Sequence, residues 1–203
     1  MKDAMNLWPI GNCEIAALVA AQYAYFARTA HGAASAERGK DYSRALLDRA
    51  LKETGAHRPL LGVMIETPAA AITVDLLLPE IDFISIGSND LLQFLFASDR
   101  GSAKVGGRYD PLNPAVMRVM QQIARTAADY KVEVGFCGDM VSRPIDAMAL
   151  IACGVRALSM PPAAIGPVKT MLRSLNVQDL RYFLDYVCTE PHHSIRQQLR
   201  SEE

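Results

Sequence analysis

Between Asp82 and Arg100 the chain reads D-F-I-S-I-G-S-N-D-L-L-Q-F-L-F-A-S-D-R, and Asn89, Asp90 and Arg100 are the side chains there that can do chemistry. A carboxylate holds a hard cation, while an amide and a guanidinium take phosphate oxygens. Such a set suits a metal-bound, phosphorylated ligand. Glu66 stands 24 residues before Asp90, at the end of the apolar run Leu61–Ile65. That interval is about one helix-plus-strand repeat, so a parallel sheet would bring both carboxylates to neighbouring strand ends on one face. With ligand oxygens and water they would make a Mg²⁺ site.

Plainer readings exist for each residue. Asp90, Asn89 or Ser88 could cap a following helix, since short polar side chains favour that position. Glu66 could form a salt bridge at its strand end, and Arg100 could pair with Asp99 at the surface. Cys137 ends another apolar run and is followed by Gly138. Most cysteines at such positions are small buried hydrophobes, although the glycine leaves room for a ligand. Lys104, Arg108 and Lys169 read as solvated charges.

The elements that must position these groups follow from periodicity. Tyr42–Thr54 has helical spacing, with Leu46, Leu47, Ala50 and Leu51 on one face. Strands are expected at Leu61–Ile65, Phe83–Gly87, Val132–Cys137 and Ala157–Met160. Helices are expected near Ala70–Leu77, over Leu91–Ala97, over Pro114–Tyr130 after Asn113, over Pro144–Ala152 and over Ile165–Ser174. On this reading Asn89 and Asp90 lie on a loop between strand and helix, and a long loop spans Asp99–Pro111. Four βα units in series imply an α/β fold with a parallel sheet.

Composition bounds the rest. The chain has 203 residues, is 50% hydrophobic and 21% charged, and carries a net charge of −1. That excludes a disordered chain and a basic nucleic-acid-binding surface. Cys13, Cys137, Cys153 and Cys188 form no C-x-x-C pair, which points to a reducing cytoplasm rather than a disulfide or zinc framework. The Ala-rich stretch Ile15–Thr29 is too short to span a bilayer and is interrupted by Gln22 and Arg28. It lacks the basic start of a secretory signal, so a packing helix is expected, then a linker over Gly32–Lys40. No membrane or nucleic-acid partner is expected.

Five ordered blocks carry a resemblance. They are G-V-M-I-E-T-P (62–68), S-I-G-S-N-D-L (85–91), Y-D-P-L-N-P-A-V (109–116), G-F-C-G-D (135–139) and L-S-M-P-P-A-A-I-G-P-V-K (158–169). Together they resemble the C-terminal barrel of phosphoenolpyruvate–protein phosphotransferase, enzyme I of the bacterial sugar phosphotransferase system, and look closest to its nitrogen-related paralogue. The resemblance implies the C-terminal half of a (β/α)8 barrel over residues 41–178. An atypical helix and linker would precede it at 1–40, and a helix or polar tail would follow at 179–203. Glu66 and Asp90 would be Mg²⁺ ligands for phosphoenolpyruvate, and Asn89 and Arg100 would contact its phosphate. Cys137 would protonate the enolate of pyruvate after the phosphoryl group has moved to a histidine on a phosphocarrier domain or protein.

This chain reads C-G-D where the family usually has C-G-E, so Asp139 would leave a hydrogen bond near the site unmade. His31 lies in a segment only loosely like the family's phosphorylated histidine, while His57, His192 and His193 read as loop or tail residues. Four units are half of a barrel that needs about 250 residues. The chain is therefore expected to be truncated and inactive alone. Its open edges and apolar wall would favour a homodimer, or a cover by the N-terminal helix. Two other readings remain: a pyruvate- or phosphoenolpyruvate-handling lyase or dikinase-type barrel, and a non-catalytic dimerisation or ligand-sensing remnant.

Overall fold

A computed structural model of the chain describes residues 48–49, 51–52, 60–99, 101–102, 104–105, 110–190 and 194–200. The N-terminal helix expected at Ile15–Thr29, the linker after it, Arg100, Arg108 and all four histidines lie outside the described residues. Residues 48–49 and 51–52 are helical.

Among the described residues four strands form one sheet in the order β1 (Gly62–Ile65), β2 (Phe83–Gly87), β3 (Glu133–Cys137) and β4 (Ala157–Ser159). Every neighbouring pair is parallel. Parallel neighbours need a crossover, and each is helical. The fold is the α/β arrangement expected of a partial parallel barrel.

Several helices start where the chain supplies a side-chain cap. Thr67 accepts a hydrogen bond from Ala70 N–H and Pro68 opens α1 (Pro68–Ile72). The expected helix over Ala70–Leu77 is broken into this single turn and two 3-10 turns, Val74–Leu76 and Leu78–Glu80. The cause is local: the Thr73 hydroxyl bonds back to Ala69 C=O, and Pro79 brings no N–H. Asn113 caps α3 (Pro114–Asp129) through Ala115 N–H at 2.8 Å, with Pro114 at the first helical position.

A second departure matters for the site. The helix expected over Leu91–Ala97 is α2, Ser88–Leu95, and it follows β2 without a loop. Asn89 and Asp90 are therefore in its first turn, not on a loop. Gly87 occupies the cap position and no side chain caps the helix, so the capping roles considered for Ser88, Asn89 and Asp90 are not used. At the other end Ala97 takes a left-handed φ of 47°, and Ser98 N–H reaches back to Gln93 C=O. Lys131 (φ 60°) ends α3 in the same way, with Val132 N–H on Ala127 C=O.

Helices α4 (Pro144–Cys153), α5 (Pro162–Ser174), α6 (Val177–Val187) and α7 (Arg196–Arg200) complete the described residues. The prolines at 161 and 162 suit a helix start, so α5 begins one turn before Ile165. The described part of the C-terminal segment packs onto the body of the fold. Ile195 and Leu199 are fully buried, and Ile195 N–H donates to Leu112 C=O.

Strand alternation divides the sheet into two unlike faces. Val63, Ile65, Ile84, Ile86, Val134 and Phe136 point to the helices and join Met117, Met120, Ile123, Met148 and Leu150 in the core. The opposite face carries Gly62, Met64, Ser85, Gly87, Gly135 and Cys137, with the Phe83 ring lying over Gly62. This wall combines the large apolar residues Met64 and Phe83 with small ones toward the carboxyl ends of β2 and β3. Large exposed hydrophobics sit on the outer elements, at Ile72, Leu76 and Phe94.

Candidate functional site

The site is the carboxyl rim of the sheet, on the face of Gly87 and Cys137. Gly87 of β2, Cys137 of β3 and Ser159 of β4 are in register there. Ile65 pairs with Ile86, so Glu66 arrives level with Gly87. The Glu66 side chain crosses Gly87 closely. A Cβ at Gly87 would stand 2.6 Å from Glu66 Cγ and 2.8 Å from its Oε1. Only glycine allows the carboxylate to lie over the junction that leads into Asn89 and Asp90.

The loop after β3 is locked onto the same junction. Ser88 donates its hydroxyl to the Cys137 carbonyl at 3.0 Å, and Asp139 N–H donates to Asn89 Oδ1 at 3.4 Å. Gly138 has φ 126°, and a Cβ there would meet Ser88 Oγ at 2.1 Å. Conformation and space both require glycine at this position. The bond from residue 139 to Asn89 uses the backbone N–H and so does not depend on the length of the side chain there.

Cys137 is a free thiol, partly buried. Its Sγ accepts from Ser85 Oγ at 3.7 Å and donates to Ile86 C=O at 3.6 Å. Burial pushes the thiol above its ordinary pKa, the Ser85 hydrogen bond opposes this, and the charge of Glu66 adds to it. The group is therefore a protonated thiol at neutral pH, able to give up a proton rather than attack as a thiolate. Asp90 is half-buried and accepts from Gln93 Nε2 at 3.1 Å.

The backbone thus places Glu66, Asn89, Asp90 and Cys137 along one rim of the sheet, while Lys104 and Lys169 are exposed. Ser85 and Ser88 were not singled out for this role from sequence, although alternation in F-I-S-I-G puts Ser85 on the face of Gly87. Among the described residues no group of three or more His, Cys, Asp or Glu could hold a metal ion. The rim carries two carboxylates, Glu66 just after β1 and Asp90 in the first turn of α2, and hard cations favour such oxygens. No helix of the described residues is long and apolar enough to cross a membrane.

Comparison with known proteins gives a consistent result. The family model for the PEP-binding domain of PEP-utilising enzymes matches residues 41–177. A Salmonella typhimurium protein named "Phosphoenolpyruvate-dependent phosphotransferase system" is 35% identical over 145 residues, covering 68% of this chain and 19% of the relative. The phosphoenolpyruvate-protein phosphotransferase of Priestia megaterium is 35% identical over 127 residues, covering 63% and 22%. Multiphosphoryl transfer protein 1 of Escherichia coli is 37% identical over 128 residues, covering 63% and 15%. The chain therefore spans between 15% and 22% of the length of these curated relatives.

Proposed function

This chain belongs to the PEP-utilising enzyme family, through its PEP-binding domain, and from that membership we propose that its rim binds phosphoenolpyruvate for phosphoryl transfer to a protein histidine. The observation that carries the reading is the placement of the Glu66 carboxylate over Gly87, beside the first turn that bears Asn89 and Asp90. Glu66 and Asp90 are the residues that would hold Mg²⁺, which when bound neutralises charge on the phosphoryl oxygens. Asn89 directs its oxygen at Asp139 N–H, so its Nδ2 is the donor for a phosphate oxygen. Arg100 supplies the bidentate grip on the same group.

As the phosphoryl group leaves, the ligand becomes the enolate of pyruvate and needs a proton on carbon. Cys137, kept protonated by burial and by the Glu66 charge, provides it, and solvent restores the thiol. The acceptor histidine belongs to a phosphocarrier domain or protein, and we place the chain with the nitrogen-related branch on the five ordered sequence blocks. We further propose that the protein works in the cytoplasm as a homodimer, with Ile72, Leu76 and Phe94 as exposed apolar surface available for self-association.

Calorimetric titration of phosphoenolpyruvate with and without Mg²⁺ tests the reading. Binding should require Mg²⁺ and weaken about ten-fold or more in Glu66→Ala and in Asp90→Ala. Unchanged binding in both variants would refute the assignment. Adding a histidine-bearing phosphocarrier then distinguishes transfer with pyruvate release from ligand sensing alone.

A further inference from the structure

The opposite end of the sheet carries a cleft that the rim does not use. It has a volume of about 550 Å³ and is bounded by the starts of β3 and β4, the ends of α3 and α4, and the first turns of α6. That volume is in the range of sites for small metabolites. β3 is five residues long, so the cleft and Cys137 are separated by about 13 Å of strand.

Its lining is rich in cations: Arg125, Lys131, Arg156 and Arg181. Arg125 is already engaged, since Asp185 accepts from its Nη2 and from Gln121 Nε2, each at 2.7 Å. Among the described residues, Lys131, Arg156 and Arg181 make no ion pair, and exposed Glu133 is the other acid of the lining. Three cations therefore face one carboxylate.

The two arginines are brought together by the backbone. Gly154 ends α4 with φ 109°, and Arg181 Nη2 lies 3.6 Å from where a Cβ on Gly154 would stand. Arg156 follows two residues later at the entry to β4. Burial first, and then the charge of Arg181, hold the Arg156 guanidinium below its ordinary pKa. Like charges that outnumber the carboxylates beside them are relieved by a bound anion. A guanidinium fork is suited to phosphate oxygens in particular. Ala124, Ala128 and Val132 add an apolar wall beside exposed Tyr182.

We propose that this cleft binds a small phosphate-bearing anion, gripped by Arg156 and Arg181 with Lys131 adding positive potential. The site is independent of the rim and of the reaction assigned to it.

The test is calorimetric titration of the full chain with pyrophosphate, at constant ionic strength and with EDTA present to keep divalent cations from the rim. Citrate is titrated in parallel as a carboxylate anion. Saturable pyrophosphate binding is expected, weakened about ten-fold or more in Arg156→Gln and in Arg181→Gln. Binding should be unchanged in Asp90→Ala, which keeps failure here distinct from failure of the rim assignment. Both arginines are exposed, and circular dichroism verifies that the variants fold. No saturable binding, full binding in both arginine variants, or tighter binding of citrate than of pyrophosphate would each overturn the proposal.

Discussion

Glu66 and Gly87 are in such close contact that the side chain of one occupies the space a methyl group on the other would need, with 2.6 Å between Glu66 Cγ and that missing Cβ. The carboxylate and the strand end are thus positioned as a unit.

Gly87→Ala should accordingly displace the Glu66 carboxylate. Overpacking of this kind costs about 1–3 kcal/mol, readable as a lower denaturation midpoint. Mg²⁺-dependent phosphoenolpyruvate binding should fall at least as far as in Glu66→Ala. Retention of wild-type binding in a folded Gly87→Ala protein would show that the contact does not set the site.

The Cys137 thiol should titrate according to its neighbours. Its pKa is raised by burial and by Glu66 and lowered by the Ser85 hydroxyl. Glu66→Gln should therefore move the pH profile of iodoacetamide alkylation to lower pH, and Ser85→Ala should move it higher. Opposite shifts would contradict the geometry.

Alkaline stability follows with a definite sign. The folded pKa values of Cys137 and Cys153 are raised, and burial pushes Cys188 up to about 11. Above the ordinary thiol range the unfolded chain has lost protons that the folded chain keeps, so stability must fall as pH rises. Urea midpoints at pH 8 and at about pH 10 should differ in that direction, and by less in Cys188→Ala.

Arg196 clasps the C-terminus to the body of the fold. Its guanidinium donates to Asp110 at 2.8 and 3.1 Å and to fully buried Asp146 at 2.7 Å, while Arg143 reaches the other Asp146 oxygen at 2.6 Å. Arg196→Met should cost about 3 kcal/mol, because it strips a buried carboxylate of one of its two cations. The pH dependence is divided. Burial raises the Asp146 pKa, whereas at Asp110 the Arg196 and Leu112 hydrogen bonds outweigh burial and lower it. As pH falls, the Asp110 contribution is lost while Asp146 partly offsets it.

Ala97 holds a left-handed conformation at the end of α2 and is exposed. Ala97→Gly should raise stability by about 0.5–1 kcal/mol, a gain of about 2–3 °C in Tm, measurable by calorimetry. A loss of stability would mean that chain entropy outweighs the strain.

The sequence was informative where a signal was local. A β-branched and aromatic run ended by glycine marks Phe83–Gly87 to the residue, and Asn113-Pro114 marks the start of α3. The start of α2 was hidden because S-N-D resembles a cap. In the folded chain Ser88 and Asn89 are engaged across to β3 and the loop after it, 49 and 50 residues away. Arg196 was equally opaque, since its partners lie 86 and 50 residues back. The rim could be anticipated from strand ends, but the bonds that lock it could not.

The absence of any loop between β2 and α2 has a kinetic consequence. No hinge separates Asn89 and Asp90 from the sheet, so neither can be recruited by a closing segment. Their backbone entropy is given up at folding, and a ligand meets a preorganised edge. The association rate of phosphoenolpyruvate at this edge should therefore reflect diffusion and the exchange of water around the carboxylates, with no slow conformational phase arising from this junction.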